Sequence, residues 1–170
     1  MKKSVLAWLV VFPVVTLCAS LLVAQQNNKA PAAAPAVPAS QLAFEKIVDE
    51  YYKIHEALAS DTTNGVDQAA QKITKLASDA QPGNRAKNPD FLTIGRAATA
   101  LQQGKGLAQV RLQFFELSKP IVAELKRNPS IRKAAFAYYC SMADKSWVQS
   151  KKEVRNPYYG KEMLTCGQPL

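Results

Sequence analysis

The chain has a single histidine, His55, among 170 residues. A Ser-His-Asp or Cys-His hydrolase is hard to build around it, because no spacing marks a third, orienting residue. Cys-x-x-Cys is missing, which disfavours a thioredoxin-like role, and so is the Cys-x-x-Cys-His that attaches a c-type haem. No phosphate-cradling glycine loop occurs, since Gly104-Lys105-Gly106 is too short and lacks the context. Alternation of period two is weak and confined to Ala134–Tyr139, so strands are not expected to organise the fold. Internal repeats are absent. No basic-aromatic motif accompanies the net charge of +9 (22 basic, 13 acidic residues), so nucleic acid is not expected as a partner. The charge reads as a solvated basic surface, suited to an acidic protein partner or an anionic membrane surface. Enzyme activity is not expected.

What is present begins with Lys2 and Lys3 ahead of an apolar run from Val5 to Ala24. A positive start before an apolar stretch reads as a secretory signal, with cleavage expected after Ala24. Cys18 offers a lipoprotein reading, and the length of the run offers an uncleaved anchor. Either way the location is the periplasm or cell envelope. Residues 25–40 follow as a spacer, with Pro31, Pro35 and Pro38 among alanines, a composition that cannot bury a core. Residues 41–170 are then the folded domain, long enough to form a sizeable core without staples.

Apolar residues recur at helical spacing in four segments of that domain. Leu42–Ala59 carries Leu42, Ile47, Val48, Tyr51, Tyr52, Ile54 and Leu58, with Ser40 as the expected N-cap. Val66–Ala80 follows the Asp61–Gly65 loop, and alanines on its face allow a close neighbour. Gln81-Pro82-Gly83-Asn84 breaks the pattern. Asn88-Pro89-Asp90 opens a third helix, with Pro89 near its first position. Leu107–Arg127 is the fourth and strongest, with Val110, Arg111, Phe114, Leu117, Ser118, Ile121, Val122 and Leu125 at that spacing. Pro120 predicts a kink there or a division into two helices. Short loops between four helices predict an all-α, up-and-down bundle.

The character changes after Pro129. Aromatic residues concentrate in Phe136, Tyr138, Tyr139, Trp147, Tyr158 and Tyr159, with little regular pattern. An irregular Cys/Met/aromatic-rich cap is expected, lying across the bundle with a short helix around Ala143–Lys151. Two sulfur pairs occur in mirror order, Cys140-x-Met142 and Met163-x-x-Cys166. Between them, Asn156-Pro157 favours a turn and Gly160 takes positive φ at no steric cost. A chain reversing there brings Met163 and Cys166 back towards Met142 and Cys140.

The segment resembles the C-terminal signature of a bacterial envelope family, domain of unknown function 3347, also found fused to membrane-fusion adaptors of copper/silver efflux systems. That signature runs roughly Cys-Pro-Met-Ala, Trp, Asn-Pro-Tyr-aromatic-Gly and Met-Leu-x-Cys-Gly. Cys140, Met142, Ala143, Trp147, Asn156, Pro157, Tyr158, Tyr159, Gly160, Met163, Leu164, Cys166 and Gly167 match it. Ser141 departs, standing where the family has proline. The resemblance implies a helical envelope domain with links to metal and to an efflux or other envelope protein.

Two readings of the sulfurs stand side by side. In one, Cys140, Met142, Met163 and Cys166 form a soft site for Cu(I) or Ag(I), because thiolate and thioether donors select such ions. Zinc is disfavoured by the thioethers. His55 is a candidate fifth ligand, or else a half-buried side chain capping a carbonyl. In the other, Cys140 and Cys166 form a disulfide, as an oxidising compartment permits. On the loop-entropy model that closure contributes about 3.5 kcal/mol. The methionines then fill gaps in a helical scaffold or interaction module without metal. Glu45, Asp49 and Glu56 fall at helical spacing on the first helix and read as a solvated face.

Overall fold

Pro38 opens the first helix, its carbonyl accepting the N–H groups of Gln41 at 3.0 Å and Leu42 at 3.1 Å. The computed structural model describes residues 37–80, 89–128 and 135–170. The expected signal, most of the spacer, Cys18 and the Gln81–Asn84 break lie outside the described residues. Helix α1 spans Ala39–Ala59, so it starts two residues inside the stretch read as spacer. The cap position belongs to Pro38, not Ser40, and no side chain caps it. Proline suits this entry because its missing N–H would have no helical partner there.

Helix α2 is Val66–Asp79, α3 is Phe91–Gln102 and α4 is Gly106–Arg127. Gly65 precedes α2 with φ +77°, a backbone that only glycine adopts without strain. Asp90 caps α3, accepting the Thr93 N–H at 3.0 Å. Pro120 lies inside α4, which runs on as one helix where division into two was an alternative expectation. Each helix packs on the next in sequence: α1 on α2, α2 on α3, α3 on α4. Their inward faces carry Phe44, Ile47, Tyr51, Ile54, Leu58, Ile73, Ile94, Leu101, Phe114, Leu117 and Ile121, all essentially inaccessible to water. At about 1.5–3 kcal/mol for each large apolar side chain buried, this set dominates the stability of the bundle. Among the described residues no helix is long and apolar enough to cross a membrane.

The cap contains a small sheet beside its irregular stretches, and the molecule is therefore not purely all-α. Strands β1 (Phe136–Cys140), β2 (Lys145–Gln149) and β3 (Gln168–Pro169) form an antiparallel sheet in the order β2-β1-β3. The helix expected around Ala143–Lys151 is replaced by β2, with Trp147 opposite Tyr138 and Val148 opposite Ala137. Trp147, Val148 and Gln149 are consecutive and all buried. A strand buried on both faces has no period-two signature, which hid it. The hairpin reverses through residues 141–144, where Asp144 takes φ +52°.

An aromatic series joins cap to bundle. Tyr51 stacks on Phe114 at 4.8 Å between centroids, Phe114 meets Tyr158 at 5.9 Å, Tyr158 meets Trp147 edge-on at 5.9 Å, and Trp147 stacks on Tyr138 at 5.7 Å. These offset and edge contacts add to area burial because ring edges and faces carry opposite partial charge. The polar ends are satisfied as well. Tyr51 Oη and Ser118 Oγ are 2.7 Å apart, Tyr158 Oη donates to Ser146 O at 2.7 Å, and Val148 N donates to Tyr51 Oη at 3.4 Å. Burial holds both phenols well above their ordinary pKa, so they are neutral hydrogen-bonding groups.

Candidate functional site

The reversal rests on Asn156, which is fully buried. Its Oδ1 accepts from Tyr158 N at 2.8 Å and Tyr159 N at 3.3 Å, and its Nδ2 donates to Cys166 O at 2.8 Å. Its backbone N donates to Leu164 O at 2.7 Å, and its carbonyl accepts from Gly160 N at 3.0 Å. One side chain thus forms the turn and ties the returning segment to it, as asparagine is suited to do. Gly160 has φ +58°, and a Cβ there would lie 1.9 Å from Asp61 Oδ1. Gly167 is also closely packed: a Cβ would come within 2.7 Å of the Trp147 ring. Glycine is required at both places by close approach, and at Gly160 by backbone as well.

With the returning segment fixed, Cys166 lies against Cys140. The thiols are free, and their sulfurs are 2.6 Å apart. Cys140 ends β1 at 1% exposure, while Cys166 is half-buried. Burial pushes the Cys140 thiol up. Hydrogen bonds from Cys166, from the Ala143 and Met142 N–H groups and from the Asn156 side chain outweigh it and leave its pKa below the ordinary value. Cys166 shifts the other way, chiefly through its hydrogen bond with Cys140 and secondarily through desolvation. Of the two sulfurs, Cys140 is the one whose thiolate is favoured.

The methionines take part through their main chains. The Met142 N–H lowers the pKa of both thiols, and Met163 O accepts from Cys166 N at 3.0 Å. The Met142 side chain is 65% exposed and lines a surface cleft of about 550 Å³. Leu112, Lys145, Tyr159 and Glu162 line it too. Lys145 Nζ stands 5.3 Å from the Phe115 ring centre and 6.0 Å from that of Tyr158. Tyr159 Oη donates to Met142 O at 3.2 Å, tying the cleft to the hairpin turn behind Cys140.

His55 is buried on α1, and its Nε2 donates to Arg155 O at 2.8 Å. Burial pushes its pKa down to about 4, which keeps the ring neutral. It therefore caps a carbonyl one residue ahead of Asn156. Glu56 beside it accepts from Arg155 Nε at 3.0 Å, and Glu45 accepts from Gln41 at 3.1 Å. Among the described residues no three His, Cys, Asp or Glu side chains gather as a metal site.

The donor set can be tested for an ion on distance alone. Thiolate sulfurs sit about 2.3 Å from a bound zinc, so two of them 2.6 Å apart would subtend about 70° at the ion. Tetrahedral, trigonal and linear sites all need wider angles. A disulfide, at about 2.05 Å, needs only a small approach. The sulfurs as placed do not fit a shared ion.

Sequence reasoning missed two residues that hold the site. Arg111 donates through Nε to Pro157 O at 2.8 Å and through Nη2 to Leu58 O at 2.9 Å and Asp61 Oδ1 at 2.7 Å. It clamps α4 to the end of α1 and to the cap turn. The available signal was a charge on the apolar face of α4. Gln149 is 1% exposed and fully partnered: Oε1 accepts from Trp147 Nε1 at 2.9 Å and Arg155 N at 3.1 Å, and Nε2 donates to Lys151 O at 2.8 Å and Glu153 O at 2.5 Å. Nothing in the sequence marks it.

Comparison of the chain with protein-family models, curated proteins and solved structures finds no match in any of the three. The likeness to the envelope family rests on the C-terminal motif residues alone.

Proposed function

We propose that this is an envelope protein whose four-helix, up-and-down unit serves as an interaction module, its C-terminal cap locked by a Cys140–Cys166 disulfide. The observation carrying this reading is the 2.6 Å separation of the two sulfurs in a turn built to bring them together. Oxidation needs a small approach and no rearrangement of the cap. The partner is an envelope protein with an acidic, partly apolar surface. The cleft offers Leu112 at 55% and Met142 at 65% exposure beside Lys145, on a chain of net charge +9. The reading includes export and no catalytic role.

The second reading is a soft-ion carrier for Cu(I) or Ag(I), linked to efflux. Its support is the placement of Met142 and Met163 next to the cysteines in the chain, with their main chains bonded to them. It requires the sulfurs to part. One pair of measurements separates the two. Protein from an oxidising compartment, denatured without reductant, should be two hydrogens lighter than its reduced form. The reduced protein, titrated with Cu(I) against a competing chelator, should bind no better than Cys140→Ser or Met163→Leu. Two free thiols would overturn the locked module, and tight Cu(I) binding lost in both variants would establish the carrier.

A further inference from the structure

The two sulfurs are chemically unequal, and that inequality gives the pair a direction. Cys140 is 1% exposed at the end of β1, among the core residues. The hairpin turn at Met142 and Ala143 and the buried Asn156 side chain lower its pKa. Cys166 is half-buried, on the returning segment, so solvent reaches it where it does not reach Cys140. An incoming thiolate can reach only a sulfur that solvent reaches, and the sulfur that departs must carry negative charge. Donors placed around a sulfur favour it as the leaving group, in the way that N–H groups stabilise any developing anion.

We infer that the Cys140–Cys166 pair is a thiol–disulfide exchange site in which Cys166 is the sulfur attacked by an external thiol and Cys140 is the buried leaving and resolving thiolate. The inference rests on the disulfide reading above. In the first step a thiolate attacks Cys166 Sγ; a new sulfur–sulfur bond forms to Cys166, the Cys140–Cys166 bond breaks, and its electron pair stays on Cys140. In the second, a further thiolate attacks the external sulfur of the mixed disulfide and releases Cys166 as thiolate. Two external thiols are oxidised to one disulfide, and the protein pair is reduced by two electrons. Reversal of the first step, with Cys140 attacking Cys166, expels the thiol and restores the lock. The substrate class is a small or protein-borne thiol.

The test uses the full chain and glutathione as the probe. Oxidised protein is mixed with excess reduced glutathione, quenched in acid, and the mixed disulfide is located by peptide mass. The adduct is expected on Cys166; an adduct on Cys140, or an even division, overturns the assignment. A second arm exposes reduced, folded Cys140→Ser and Cys166→Ser proteins to oxidised glutathione, with helical circular dichroism confirming the fold. Cys166 in the first variant should be modified faster than Cys140 in the second, because solvent reaches only Cys166 freely. Equal rates overturn the proposal. If the starting protein holds no disulfide, the lock fails, and the second arm still decides which sulfur exchanges.

Discussion

His55 sets a pH dependence that can be worked out in sign. An unfolded histidine takes up its proton at about 6.5, and this one does so at about 4 in the fold because burial disfavours the charged ring. Between those values the unfolded chain binds the extra proton, so stability falls as pH drops through that window. The loss reaches about 3 kcal/mol at its lower end and then levels off. His55→Gln keeps a donor for Arg155 O and removes the titration. Denaturant midpoints measured from pH 7 to 4 should fall less steeply in the variant than in the wild type; equal slopes would contradict the placement of His55. Asp61 acts in a separate, more acidic window, since its hydrogen bond from Arg111 holds it below the ordinary carboxylate value. Gly160 gives a second residue-level expectation. Gly160→Ala must move Asp61 and Arg111 and strain the backbone, at a cost of about 1–3 kcal/mol read as a shift in the urea midpoint.

At the scale of elements, the cap is held to the bundle by the aromatic series, by the Tyr51–Ser118–Tyr158 hydroxyls, by the Arg111 clamp and by the bonds of His55 and Glu56 to Arg155. Arg111→Met leaves Pro157 O and Leu58 O without their guanidinium donor. The expected loss is about 2–4 kcal/mol, with the near-ultraviolet signal of Trp147 and Tyr158 weakened while helical signal persists. Loss of both signals together would mean that cap and bundle unfold as one unit. The helices were legible because their apolar faces repeat every three or four residues, and α2 began where its pattern began. The sheet was legible only as the weak alternation around Ala134–Tyr139, which overlaps β1, because β3 has two residues and β2 buries adjacent residues on both faces. The turn was legible from Asn156-Pro157 and Gly160. Its clamps were not, since a long-range contact such as Arg111 to Asp61 leaves no local trace beyond a charge on an apolar face.

For the molecule as a whole, Pro35–Leu170 forms one compact unit. Its C-terminus is fixed by β3 and by Leu170 N donating to Ala137 O at 3.0 Å. A crosslink between residues 26 apart in sequence would fasten that end to the sheet's central strand. On the loop-entropy model it would add about 3.5 kcal/mol, so reductant should lower the thermal midpoint by several degrees. If the proposed acidic partner is bound through the basic surface, association should weaken as salt rises. The measurement closest to the central claim is peptide mapping of protein alkylated before unfolding and digested without reductant. A peptide pair joined through Cys140 and Cys166 is the predicted product; both cysteines recovered alkylated on separate peptides would contradict it.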